Sequence, residues 1–128
     1  MKVQSYRDLI VWQKARKLVK EVYLTSRRFP KDELYGLTSQ MRRCSVSIPS
    51  NIAEGQGKRT TGEFLQHLGH ARGSLFELET QIILAGDLEF CSEKRANELL
   101  SMAEEVRKIL HGLIASLTHP SPPTTRHS

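Results

Sequence analysis

Apolar residues return every three or four positions through four long stretches of this chain, and no stretch alternates with the two-residue period of a strand. In the first stretch Val11, Ala15, Leu18 and Val22 form a ridge joined by Trp12, Val19 and Tyr23, which predicts a helix over 6–28. Ser5 with Asp8 three residues later supplies an N-cap and its partner, and Phe29-Pro30 ends the helix because proline pushes the residue before it out of the helical region. The second helix opens after Pro30, with Asp32 and Glu33 in a first turn where the dipole favours acids. Its stripe is Leu34, Leu37, Met41, Cys44, Ile48 and Ile52. Because that register runs past Pro49, the proline is expected to kink this helix, and Gly55-Gln56-Gly57 to stop it.

The third helix starts at Thr60 or Thr61, where Thr60 and Glu63 make a capping box. It buries Phe64, Leu68, Ala71, Leu75, Leu78, Ile82 and Ala85 before Gly86-Asp87 closes it. The fourth runs from Ser92 to about Leu117 on Ala96, Leu99, Ala103, Val106, Leu110, Leu113 and Leu117. Each helix should have about 22–27 residues and a length of ~35–40 Å. None can bury its stripe alone. Similar lengths and short connections predict an all-α, up-down-up-down antiparallel four-helix bundle over 1–117, with a disordered proline-rich tail over 118–128.

The third helix carries more apolar surface than one core needs. Leu65, Phe76 and Ile83 lie roughly 100° from its main ridge, and Gly69 and Gly73 flatten a strip where another backbone could approach. On the first helix Leu9, Ile10 and Leu24 fall among basic residues. Exposed apolar clusters mark association surfaces, so a homo-oligomer is expected.

Charge sharpens the picture. Residues 1–60 hold 13 Lys/Arg against 5 Asp/Glu, and residues 61–128 hold 6 against 9, so a net charge of +5 hides a strongly basic first half. Such a surface draws anionic partners, and it also suits attraction between halves of a bundle or between subunits. Hydrophobic residues at 38% and charged residues at 26% are a globular composition. No apolar run reaches the ~18 residues of a membrane span, and the first residues lack a secretory pattern. Two cysteines, Cys44 and Cys91, form neither a metal motif nor a disulfide framework, which fits a reducing cytoplasm.

No cofactor, metal or small-molecule substrate is expected. Glu63, His67 and His70 share a helix face, but a carboxylate-bridged metal bundle needs a second Glu-x-x-His pair, and the sequence has none. Gly55-Gln56-Gly57-Lys58-Arg59-Thr60 fails as a nucleotide loop, because Ile52 stands where the first glycine must be and a helix precedes it. It remains a basic turn feeding a helix N-terminus, a place that favours anions. Cys44 lies in a core stripe, and no serine sits at a strand-to-helix elbow. No enzyme signature survives.

Leu9-Ile10-Val11-Trp12-Gln13-Lys14-Ala15, Tyr35-Gly36-Leu37, Arg42-Arg43, Ser47-Ile48-Pro49-Ser50-Asn51-Ile52-Ala53-Glu54-Gly55, Glu63-Phe64, Gly73-Ser74 and Glu77-Leu78-Glu79 occur in that order. Together they resemble the bacterial four-helix-bundle family encoded within intervening sequences of 23S ribosomal RNA genes. The resemblance spans about residues 5–117, with Cys44 where alanine is usual and Gly62 where a longer side chain is common. It implies a homopentamer and supplies no established activity. The wider group is similar to the basic pentameric accessory proteins of diversity-generating retroelements, which bind nucleic acid and a reverse transcriptase.

The expectation is therefore a non-enzymatic oligomer that binds structured RNA or other nucleic acid through Lys14, Lys17, Lys20, Arg42, Arg43, Lys58 and Arg59. Leu65, Gly69, Gly73, Phe76 and Ile83 would serve the oligomer interface. Aromatics are 6%, and Trp12 and Tyr23 read as core-facing, so phosphate and shape recognition is preferred to base stacking. The competing expectation is a protein-interaction scaffold, or an accessory subunit of the reverse-transcriptase type, whose charge serves assembly.

Overall fold

Ser5 and Asp8 satisfy each other's neighbourhood at the start of the chain in a computed structural model, which describes residues 5–119. The Ser5 hydroxyl accepts from the Arg7 N–H (3.0 Å), and the Asp8 carboxylate accepts from the Ser5 N–H (3.2 Å). This is the capping box expected from sequence, but it caps only a 3-10 turn, Tyr6–Asp8. Leu9 is extended, and the first long helix, α1, is Ile10–Ser26. A second 3-10 turn, Lys31–Glu33, and a π turn, Leu34–Thr38, precede α2, Ser39–Gln56. Then come α3, Thr61–Asp87, and α4, Glu93–Thr118. The first two helices have 17 and 18 residues, shorter than expected, against 27 and 26 for the others. The physical reason lies in the turns. Leu9 breaks helical geometry, and Gly36 interrupts it again while the Glu33 carboxylate accepts from the Leu37 N–H.

Cross-helix pairs establish the topology. Lys14 meets Glu105 while Arg95 meets Glu21, so α1 and α4 run antiparallel. Arg42 reaches Ser26 at the end of α1, whereas Trp12 near its start lines a groove with Ala53. His67 pairs with Asn51 and Ser74 with Ser47, and Arg107 pairs with Glu79 while Ala96 lies under Gly86. Every neighbouring pair is antiparallel. Both ends of the described chain therefore lie at the end of the bundle that holds the α2–α3 turn.

The core follows the predicted stripes with few departures. Val11, Ala15, Leu18 and Val22 of α1 are buried, as are Met41, Cys44, Ile48 and Ile52 of α2. From α3 come Leu68, Ala71, Leu75, Leu78, Ile82 and Ala85, and from α4 Ala96, Leu99, Ala103, Val106 and Leu110. Full burial of a Leu- or Ile-sized side chain contributes about 1.5–3 kcal/mol, so the shared cluster holds the helices together. Leu34, expected in the stripe, is exposed because the π turn rotates it outward. Tyr23, expected to face the core, is likewise exposed, and the Arg42 guanidinium lies 4.8 Å from its ring centroid.

A polar seam joins α2 to α3 around the proline. Pro49 stays inside α2, as the continuing register predicts. Side chains near it feed nearby carbonyls: Ser45 donates to Arg42 O (2.9 Å), Ser47 to Cys44 O (2.7 Å) and Asn51 Nδ2 to Ser47 O (2.9 Å). Asn51 Oδ1 then accepts from His67 Nδ1 (3.2 Å), and Ser47 Oγ meets Ser74 Oγ at 2.6 Å. The Cys44 thiol donates to Ser74 O (3.0 Å). Burial, and then the Glu77 carboxylate, push that thiol up to about 12 from 9.0.

A folded-state pKa above the unfolded one means the Cys44 thiol's contribution is complete below pH 9.0 and drains away as pH climbs toward about 12. Alkaline unfolding followed by circular dichroism should consequently lose part of its steepness above pH 9 in Cys44→Ala. An unchanged profile would show that the thiol does not couple to folding.

At the far end α3 stops at Asp87, where Gly86-Asp87 was expected to close it. Gly86 stays helical and lets α4 approach, since a Cβ there would lie 3.3 Å from Ala96 Cβ. Glu89 adopts the left-handed turn (φ 63°), and Phe90 N–H closes on Ala85 O (2.9 Å). Ser92 caps α4 by accepting from Arg95 N–H, whose guanidinium binds Glu21, Thr25 and Glu98. The last helix continues through Thr118, the first residue of the tail expected over 118–128, and 120–128 lie outside the described residues.

Candidate nucleic-acid interface

The basic residues singled out from sequence are dispersed in three places. Lys17 and Lys20, three apart on α1, are exposed and line one depression of about 500 Å³ with Arg7, Trp12, Gln13 and Arg16. Lys14 turns toward α4 and pairs with Glu105 at 3.2 Å, a solvated ion pair of small energetic weight. Arg42 is engaged near the C-terminal end of α1, with Nε donating to Ser26 Oγ (2.8 Å) and its plane over Tyr23. Arg43, next to it on α2, is exposed. Lys58 and Arg59 occupy the exposed turn before α3, where the Thr60 hydroxyl accepts from the Glu63 N–H at 3.1 Å. The structure thus gathers two of the seven and leaves the rest apart.

Arg7 and Arg16 complete the gathered group and were missing from the sequence-based set. A signal for Arg16 was present: it stands four residues after Trp12 and four before Lys20, so the three share a helix face. Arg7 is harder to foresee, because its placement depends on the break at Leu9. Gln13 ties that break down by donating from Nε2 to Arg7 O (2.8 Å). Among the described residues no carboxylate lies within ion-pair distance of Arg7, Arg16, Lys17 or Lys20. The cluster keeps its positive field outward.

Trp12 is half-buried: it packs against the core cluster, as expected, and its outer side meets the basic face of α1. The Arg16 guanidinium sits 5.6 Å from its ring centroid, and Tyr6 meets it edge-on at 5.1 Å. Arg7 lies 5.7 Å from the Tyr6 ring. On the α2 side of the indole a second depression, of about 330 Å³, is lined by Tyr6, Val19, Val46, Pro49 and Ala53.

The outward strip of α3 is open. A Cβ at Gly69 or Gly73 would meet nothing within 4 Å. Phe76 and Ile83 are 48% and 49% exposed, enough to leave an apolar face uncovered, while Leu65 is half-buried. His67 and His70 stack edge to face at 6.1 Å, and no three His, Cys, Asp or Glu side chains among the described residues gather in metal-binding geometry. No described helix is long and apolar enough to cross a membrane.

Known proteins set this bundle among relatives. A protein of unknown function from the S23 ribosomal protein family of Bacteroides thetaiotaomicron has the same fold, with a TM-score of 0.77 at 19% identity. That likeness covers 82% of this chain and 95% of the other. No curated protein matches the chain. The family model described as 23S rRNA-intervening sequence protein matches residues 7–112, from the first 3-10 turn almost to the end of α4, and the chain belongs to that family.

Proposed function

We propose that this chain is a self-associating, non-catalytic protein that binds structured RNA through the α1 cluster of Arg7, Arg16, Lys17 and Lys20. One observation carries the reading: four cations surround a single depression and none is neutralised by a carboxylate among the described residues. Such an array attracts phosphate, whose contacts position a nucleic acid without reading its sequence. The family description, which names a ribosomal RNA insert, favours RNA as the polyanion. Self-association rests on the open glycine strip and the exposed Phe76 and Ile83 of α3. Repeating the cluster in each subunit of an oligomer turns weak contacts into useful affinity.

A salt titration on the sized assembly, with folded RNA and duplex DNA of equal length side by side, tests this. Four phosphate contacts per subunit give a log–log slope of about −3 to −4, so affinity should fall roughly a hundredfold between 50 and 200 mM salt. RNA should bind more tightly than DNA. Affinity that stays flat with salt overturns the reading, and equal affinities remove the preference for RNA.

A further inference from the structure

We propose that the groove between α1 and α2 receives an unpaired nucleobase of the bound RNA strand, with Trp12 at its wall and the α1 cations holding the adjoining phosphates. The inference rests on the RNA reading above and names the part of the strand that this site takes. Its basis is the adjacency of two depressions that share Trp12 and Arg16. One is apolar, lined by Val19, Val46, Pro49 and Ala53, with the Tyr6 ring at its rim. The other carries Arg7, Lys17 and Lys20. A nucleotide has the matching division, a flat weakly polar ring one sugar away from an anion.

The groove's volume, about 330 Å³, sits at the low end of the roughly 300–1,000 Å³ typical of small-molecule sites, which suits one base. Arg16 and Tyr6 brace the indole, and the exposed Ser50 on the α2 rim offers a hydroxyl to a base edge. Pro49 sits in the groove floor, where its ring presents carbon without a competing N–H. A base inside a duplex cannot reach this wall. The site therefore selects loops and bulges over continuous helix.

Trp12 is the only tryptophan, so its fluorescence reports the site directly. The full chain is titrated with an RNA hairpin bearing an unpaired uridine loop, and separately with a blunt RNA duplex of equal charge. The hairpin should bind about tenfold more tightly and quench Trp12, while the duplex should leave the emission nearly unchanged. Ala53→Phe, which fills the groove from α2, should abolish both the preference and the quenching while keeping the salt slope. Trp12→Phe should retain most of the preference, and Trp12→Ala should lose it. If Trp12→Ala does not fold, Ala53→Phe alone decides.

Equal binding of hairpin and duplex with a steep salt slope overturns the nucleobase site and leaves the basic-surface reading standing. No binding of either probe ends both. If Ala53→Phe changes the sedimented mass and leaves hairpin affinity intact, a second copy of the chain occupies the groove, and the proposal fails.

Discussion

Gly55→Leu should cost this protein about 2 kcal/mol of stability and lower its melting temperature by about 7 °C. The residue is buried in the last turn of α2, facing the first turns of α3. A Cβ there would lie 2.7 Å from His67 Cβ, 3.0 Å from a Phe64 ring carbon and 3.3 Å from the Phe64 carbonyl oxygen. The first and last of these atoms belong to or adjoin α3 backbone, so no rotamer change relieves the clash. The helices must separate, and the neighbouring Asn51–His67 hydrogen bond stretches with them.

Removing a helical glycine would by itself gain about 0.5–1 kcal/mol, which is smaller than the overpacking penalty of about 1–3 kcal/mol, so the net sign is destabilising. Gly73→Leu is the matched control. Its Cβ meets open space, so the subunit should melt at or slightly above the parent temperature. If α3's strip is the association face, that same variant should sediment as a smaller species. Equal melting of Gly55→Leu and Gly73→Leu would refute the close-approach argument.

Neutralising Arg7, Arg16, Lys17 and Lys20 together to glutamine should weaken RNA binding about a thousandfold at 0.1 M salt and flatten the log–log slope by about 3. Each lost phosphate contact forfeits the counterions it released, and those terms add across the cluster. The fold should persist. All four side chains lie outside the buried core, and the Arg16–Trp12 stacking is worth only about 0.5–1 kcal/mol. The informative comparison is the same change at Arg43, Lys58 and Arg59, which are exposed but sit away from the depression. Those three should cost much less per charge removed. A cluster variant that binds RNA with the parent slope would take the interface away from α1.

The helical stripes were legible in the sequence because burial in a bundle repeats with the period of the helix. Leu68, Ala71, Leu75, Leu78 and Ile82 announce α3 unaided, and Thr60 and Ser92 mark starts through oxygen atoms the backbone needs. What was not legible depended on local breaks. Periodicity carried the second helix through Leu34, where the Glu33 side chain and Gly36 instead set a π turn. It carried the first through Leu9, and so hid Arg7's approach to the cluster. Tyr23 sits at the stripe's edge, where a wheel cannot separate core from rim. Partner choice among cations was equally hidden: Lys14 and Lys17 look alike in sequence, yet only Lys14 finds an acidic neighbour, Glu105, which is distant along the chain.

The antiparallel run of α1 against α4 has a mechanical consequence. Tethers attached at Ser5 and His119 would pull away from the same pole of the bundle. Tension would then peel α1 from α4 one turn at a time, with the Lys14–Glu105 contact loaded before the Arg95 clamp, and would not shear whole interfaces at once. A molecule held this way opens like a zipper and yields at low force, however cohesive its interior is to heat.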